Sequence, residues 1–224
     1  MTRADAERPR RKYAPRLPPE QRREQLLDAA FEVTRRHGLH DLSMEAVATE
    51  AGVGKPVLYT VFRTRADLVA ALLEREHGRA VAQVLATMPT DLAASGPTVA
   101  YTATVTGFVG AVLDNPTRWR LILTAPDSAP GEYRDHLRSA RSAVLARAVE
   151  LAHAGIALEP ALAELDAELL AHTMLSFAEM LGRLAVSDPD RYTSDRLANY
   201  AASLAGLIAD PTSTRRRHRS DPGR

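Results

Sequence analysis

Residues 43–62 read SMEAVATEAGVGKPVLYTVF. Two short helices are expected here, about Met44–Glu50 and Lys55–Val61, either side of a turn at Ala51-Gly52-Val53. Gly52 can take the positive φ that a sharp turn requires. Ser43 stands where an N-cap belongs. Val47, Val53 and Leu58 can pack together inside the angle between the helices. Such packing holds the second helix rigid and presents its outer face. That is the arrangement of a helix-turn-helix, whose second helix enters the major groove of duplex DNA.

The outer-face candidates are Lys55, Pro56, Val57, Tyr59, Thr60 and Val61. Lys55 supplies charge for a phosphate or a guanine edge. Pro56, at an early helical position, loses no needed backbone bond, and its ring can meet a thymine methyl. Tyr59 and Thr60 offer hydroxyls to phosphates or bases. Ser43 and Thr64, each at a helix start, would direct backbone N–H groups at phosphates. The fragment Gly52-Val53-Gly54-Lys55 is not a nucleotide phosphate loop. Thr49 stands at its first glycine position, Pro56 replaces the Ser/Thr, and no strand precedes it.

Outward from this stretch the chain reads as helix throughout, with apolar residues at three- and four-residue spacing and no strand pattern. The first helix runs over about Pro19–His37, its inner stripe Leu26, Leu27, Ala30, Phe31 and Val33, with Gly38 as terminator. Thr64 and Asp67 form a capping-box variant that opens a long helix over about Arg65–Thr87. Five further helices are expected near 97–113, 117–124, 131–154, 161–186 and 191–209. Their breaks are Pro116, Pro126 and Pro130, Gly155 and Pro160, and Asp188-Pro189. Residues 92–113 carry no charge, yet Ser95, Gly96, Pro97 and the glycines at 107 and 110 favour a helix buried in a soluble domain over a membrane span.

The 224 residues are 45% hydrophobic and 25% charged, an ordinary globular composition able to build a core. There is no cysteine, which excludes a disulfide scaffold, a thiol nucleophile and cysteine-ligated metal. The basic N-terminus has no apolar stretch behind it, so a cytoplasmic protein without a signal peptide is expected. Net charge is +1, unevenly distributed. Residues 1–65 hold 13 Lys/Arg against 9 Asp/Glu, residues 66–214 hold 11 against 18, and the last ten hold five Arg and one Asp. A basic front on an acidic body suits a front that meets a polyanion. Residues 1–18, with Arg8, Arg10, Arg11 and Lys12, read as a basic arm, and residues 211–224 as a basic tail.

Residues 20–68 resemble the DNA-binding domain of the tetracycline-repressor (TetR) family. The resemblance is carried by Leu26-Leu27-Asp28-Ala29-Ala30-Phe31, Gly38, Ser43, the Ala51-Gly52-Val53 turn, the Leu58-Tyr59 pair, Phe62, Arg65 and Leu68. Gly54 stands where the family often has Ser or Thr. Thr60 and Val61 replace aromatic or His residues common there, so base preference does not transfer. The resemblance implies an all-α protein with a three-helix DNA-binding domain over 19–66, joined by a long helix to a ligand-binding and dimerisation domain over 67–210. The DNA-facing set is then Ser43, Gly54, Lys55, Pro56, Val57, Tyr59, Thr60 and Arg65.

The rest of the chain resembles the family in length and helicity alone. By that likeness its helices would enclose a small-molecule effector. Candidate lining residues are Tyr101, Thr102, Val105, Phe108, Trp119, Met174 and Phe177, otherwise ordinary core. Few basic residues face such a pocket, which points to a neutral or cationic, largely apolar effector. The last two helices, with Leu165, Leu169, Leu181, Leu197, Tyr200 and Leu204, would pair with a second copy, and the dimer would read a near-palindromic operator as a repressor. No cofactor, metal or catalytic residue is expected. Glu168 and His172 form a single i,i+4 pair where a helical-bundle metal site wants two such units. The competing readings are an all-helical enzyme or ligand carrier with a regulator-like fold, and a sequence-independent DNA binder without effector.

Overall fold

The computed structural model describes residues 17–124 and 131–209, and every regular element among them is helical. The basic arm, the tail over 211–224 and the breaks at Pro126 and Pro130 lie outside the described residues. The chain divides into two units, with the boundary between Leu72 and Leu73.

The first unit holds α1 (Pro19–His37), α2 (Met44–Glu50), α3 (Lys55–Val61) and the start of α4 (Arg65–Thr87). α1 begins on a proline, whose fixed φ suits a first helical position. It ends at Gly38, whose φ of 84° lies in the left-handed region and whose N–H donates to the Thr34 carbonyl at 2.8 Å. A side chain there would be strained and would sit 3.0 Å from the His40 ring. The expected stripe is largely inward: Leu26, Leu27, Ala30 and Val33 are buried together with Leu42, Val47, Leu58, Phe62, Leu68 and Leu72. On the outer side of α1, Glu32 accepts from Arg35 and Arg36, and Arg36 reaches Glu50 on α2 at 2.6 Å. Hydrogen bonds from Arg35 and then Arg36 hold the Glu32 carboxyl down at about 2. This pairing is therefore present above the ordinary carboxylate range and lost only as pH falls through about 2.

The second unit contains the remainder of α4, then α5 (Pro97–Asp114), α6 (Pro116–Leu123), α7 (Gly131–Leu158), α8 (Ala167–Ser187) and α9 (Ser194–Ala209). α5 is the uncharged stretch of the sequence, and it packs against α8 and α9. Its Val105, Phe108, Val109 and Val112 form one cluster with Trp119, Leu181, Ala185, Leu197 and Ala201. A smaller cluster joins α7 and α8 through Ala152, Ala167 and Ala171. Among the described residues α8 alone is long and apolar enough to cross a membrane, but its Ala171, Leu181, Gly182 and Ala185 are buried inside this unit.

α8 starts later than the sequence suggests. Pro160 opens a single 3₁₀ turn, Pro160–Leu162, and the α-helix begins at Ala167, where Asp166 accepts the Leu169 N–H at 2.9 Å. α9 likewise begins at Ser194 rather than 191.

Gly182 sets how closely α8 approaches its neighbours. A Cβ there would lie 2.8 Å from a Leu123 methyl and 2.9 Å from the Phe108 ring edge. Gly182→Ala is expected to cost about 1–3 kcal/mol of stability through overpacking, read as a lower urea midpoint at unchanged m-value. A midpoint at or above that of the parent would refute the close-approach account.

Candidate nucleic-acid interface and effector cavity

α3 turns one residue inward. Leu58 is fully buried, while Lys55, Pro56, Val57, Tyr59 and Thr60 are exposed, Tyr59 by 49%. The supports of α3 are local and explicit. Gly52 takes φ 64°, and the Val53 N–H donates to the Ala48 carbonyl across the turn. Gln25 on α1 donates to the Ala51 carbonyl at 3.1 Å. Ser43 caps α2 as expected, accepting the Ala46 N–H at 3.1 Å. Thr64 and Asp67 exchange two hydrogen bonds, each from one residue's backbone N–H to the other's side chain, at 3.0 and 3.1 Å.

Of the eight residues in the expected DNA-facing set, five lie on the exposed side of α3. Gly54 is the N-cap of α3, with an extended backbone and a carbonyl that accepts from Val57 and Leu58. Lys55 Nζ rests 3.1 Å from Glu45 Oε1, both groups exposed, an ion pair worth little in water. The Thr60 hydroxyl donates to the Val57 carbonyl at 2.6 Å. Arg65 is tied to the backbone of its own unit. Its guanidinium donates to the carbonyls of Leu39, His40 and Leu42, bracing the loop before α2. Sequence reading passed over Arg63, which is exposed between α3 and α4 without an ion pair among the described residues.

The second unit encloses a cavity of about 360 Å³ bounded by α4, α5, α6, α7 and α8. That volume is within the range of small-molecule sites. Tyr101, Val105, Phe108, Trp119 and Met174 line it; Thr102 and Phe177 do not. The Thr102 hydroxyl donates to the Thr98 carbonyl within α5, and Phe177 lies against Tyr200 with ring centroids 5.8 Å apart. The lining threonines are Thr87 and Thr104 instead. Hydroxyl protons on the wall are already engaged by backbone carbonyls: Tyr101 donates to Met174 at 3.1 Å, Thr104 to Ala100 and Thr87, and Thr87 to Val84. Burial pushes the Tyr101 phenol far above its ordinary range, so it stays neutral.

Trp119, the single tryptophan, meets the Phe108 ring edge-on at 5.0 Å. Its Nε1 is buried without a hydrogen-bond partner among the described residues. Its neighbour Arg118 belongs to a buried polar knot. Glu76 on α4 is 1% exposed. One of its oxygens accepts from Arg75 and Arg79, each at 3.0 Å, and the other accepts from Arg118 at 2.8 Å. Arg118 also donates to Gln83 at 3.0 Å.

Charge reaches the cavity from α7 and α8. Arg141 donates to both carboxylate oxygens of Glu179, at 2.8 and 3.4 Å, and Arg183 stands one turn further along α8. These arginines contrast with the expectation of few basic residues at the pocket. Among the described residues no three His, Cys, Asp or Glu side chains gather where they could hold a metal ion.

A helix-turn-helix unit followed by a helical unit with a ligand-sized cavity defines a class of DNA-binding regulators. The comparisons agree with that assignment. Residues 26–72 match the family of bacterial regulatory proteins, tetR family. The HTH-type transcriptional activator FasR of Mycolicibacterium smegmatis is 48% identical over 60 residues, which are 27% of this chain and 27% of that protein. This chain thus matches about a quarter of that relative's length. A TetR-like transcriptional regulator from Rhodococcus sp. RHA1 has the same fold at TM-score 0.65 and 26% identity, covering 86% of this chain and 97% of that one. FadR from Bacillus subtilis, solved in complex with stearoyl-CoA, shares the fold at TM-score 0.63 and 16% identity, over 84% of this chain and 97% of that one. Residues 26–72 thus carry the helix-turn-helix domain of the tetR family, and the chain as a whole has the fold of TetR-like regulators.

Proposed function

We propose that this regulator binds a near-palindromic operator as a dimer and is released from it by a largely apolar effector held in the cavity, acting as a cytoplasmic repressor. The observation that carries the DNA half is α3, which buries Leu58 alone and leaves Lys55, Pro56, Val57, Tyr59 and Thr60 outward. Ser43 and Gly54 contribute backbone near phosphates, Arg63 adds a phosphate contact, and Arg65 holds the frame in place. The apolar cavity supports the effector half. Apolar side chains exposed on α8 and α9, Leu169 at 67% and Tyr200 at 53%, support pairing of two copies through these helices. A two-fold dimer would present one α3 to each half-site.

A mobility-shift assay with the DNA upstream of the protein's own gene tests this. Lys55→Ala combined with Tyr59→Ala is expected to weaken specific binding by about 30-fold or more, from roughly 1 kcal/mol per lost contact. Both residues are exposed, so the melting temperature should not move. Lys55→Ala alone should lower the slope of log affinity against log salt by about one. Equal binding by the double variant and the parent would overturn the assignment of α3.

The sign of regulation has a second reading. The relative that is 48% identical across the DNA-binding stretch is named an activator. A reporter driven by the same upstream DNA separates the two, since deletion of a repressor raises expression and deletion of an activator lowers it.

A further inference from the structure

Given that the cavity is an effector site, we infer that its ligand is an anionic amphiphile: an apolar body within the walls and a carboxylate or phosphate-bearing head at Arg141 and Arg183. The walls are aliphatic and aromatic, and the hydroxyl protons of Thr87, Tyr101 and Thr104 are held by backbone carbonyls. These three side chains give a polar ligand group no free donor, and Trp119 Nε1, unpartnered among the described residues, is a lone neutral donor on the wall. Among the described residues the charged lining groups are three, Arg141 on α7 with Glu179 and Arg183 on α8, and the buried His77 on α4 is the remaining basic side chain of the lining. Arg141 is paired with Glu179 through two nitrogens. Arg183 is exposed and has neither ion pair nor hydrogen bond among the described residues.

Among the described residues, Arg141, Glu179 and Arg183 give this edge of the cavity one net positive charge. A planar guanidinium offers a fork that matches carboxylate and phosphate oxygens. A neutral head would leave Arg183 hydrated as before and gain nothing from it. A cationic head would be repelled. Glu179 competes with any anion for Arg141, so it weakens the site for anions and helps to exclude those that lack an apolar body to compensate.

Three probes with one twelve-carbon chain test this on the full-length protein: dodecanoate, methyl dodecanoate and dodecanoyl-CoA. Trp119 emission reports binding, because this single tryptophan lies on the cavity wall. The parent protein should prefer an anionic probe to the methyl ester by about tenfold, the low end for a hydrogen bond between charged groups. Glu179→Gln should tighten the anion and Arg183→Glu should weaken it. Both should leave the methyl ester unchanged, a pattern of opposite signs that loosened packing does not produce. The preference should shrink as salt rises. Tighter binding of dodecanoate identifies a free acid as the source of the anion, and tighter binding of dodecanoyl-CoA identifies a thioester. Equal affinity for ester and anions in the parent overturns the head-group inference while leaving the effector cavity standing. Failure of all three probes to change Trp119 emission or the melting temperature overturns both.

Discussion

Glu76→Ala is expected to destabilise the second unit by about 3–5 kcal/mol, the usual cost of removing one member of a buried ionic network. The carboxylate is 1% exposed and receives Arg75, Arg79 and Arg118. Arg79 is half in solvent and contributes little. Arg75 and Arg118 are not, and without the carboxylate their charges remain in a poorly hydrated setting. For a unit of this size the loss corresponds to roughly 6–20 °C in melting temperature. Glu76→Leu combined with Arg118→Met should lose less than the sum of the two single variants, since the double variant removes the ion with its partner. A loss below about 1 kcal/mol for Glu76→Ala would show that the knot is ornamental to folding.

Leu58→Ala should remove about 2–5 kcal/mol from the first unit, the range for deleting a fully buried leucine. Leu58 is the sole buried residue of α3, so the helix would lose its anchor as well as its packing energy. DNA affinity should therefore fall even at temperatures where the variant remains folded. Tyr59→Ala, next to it and exposed, should weaken DNA binding at unchanged stability. Melting curves and mobility shifts on the two variants separate support from contact. The same stability loss in both would contradict the placement of α3.

The ends of the early helices were legible because short-range chemistry marks them. Ser43, Gly52, Thr64 with Asp67, and Gly38 each act within four residues of where they stand. The start of α8 is not legible in the sequence because Pro160 suits a first helical position, and here it opens a 3₁₀ turn six residues before Asp166 supplies the cap. The cavity was half legible. Periodicity identifies an inward stripe, and Tyr101, Val105 and Phe108 are on it. It does not say which threonine faces a space formed by four other helices, and Thr104 lines that space where Thr102 bonds its own helix. Arg141, Glu179 and Arg183 carried no local signal, since charged residues on a helix ordinarily face solvent. Arg65 matched its family position, and no spacing rule discloses that its three carbonyl partners lie more than twenty residues upstream.

That clasp has a consequence for which side chain the joint can tolerate. One flat guanidinium reaches the carbonyls of Leu39, His40 and Leu42 together. The compact ammonium of a lysine in the same place has no such fork with which to span all three oxygens, so the segment ahead of α2 would lose part of its tie to the start of α4.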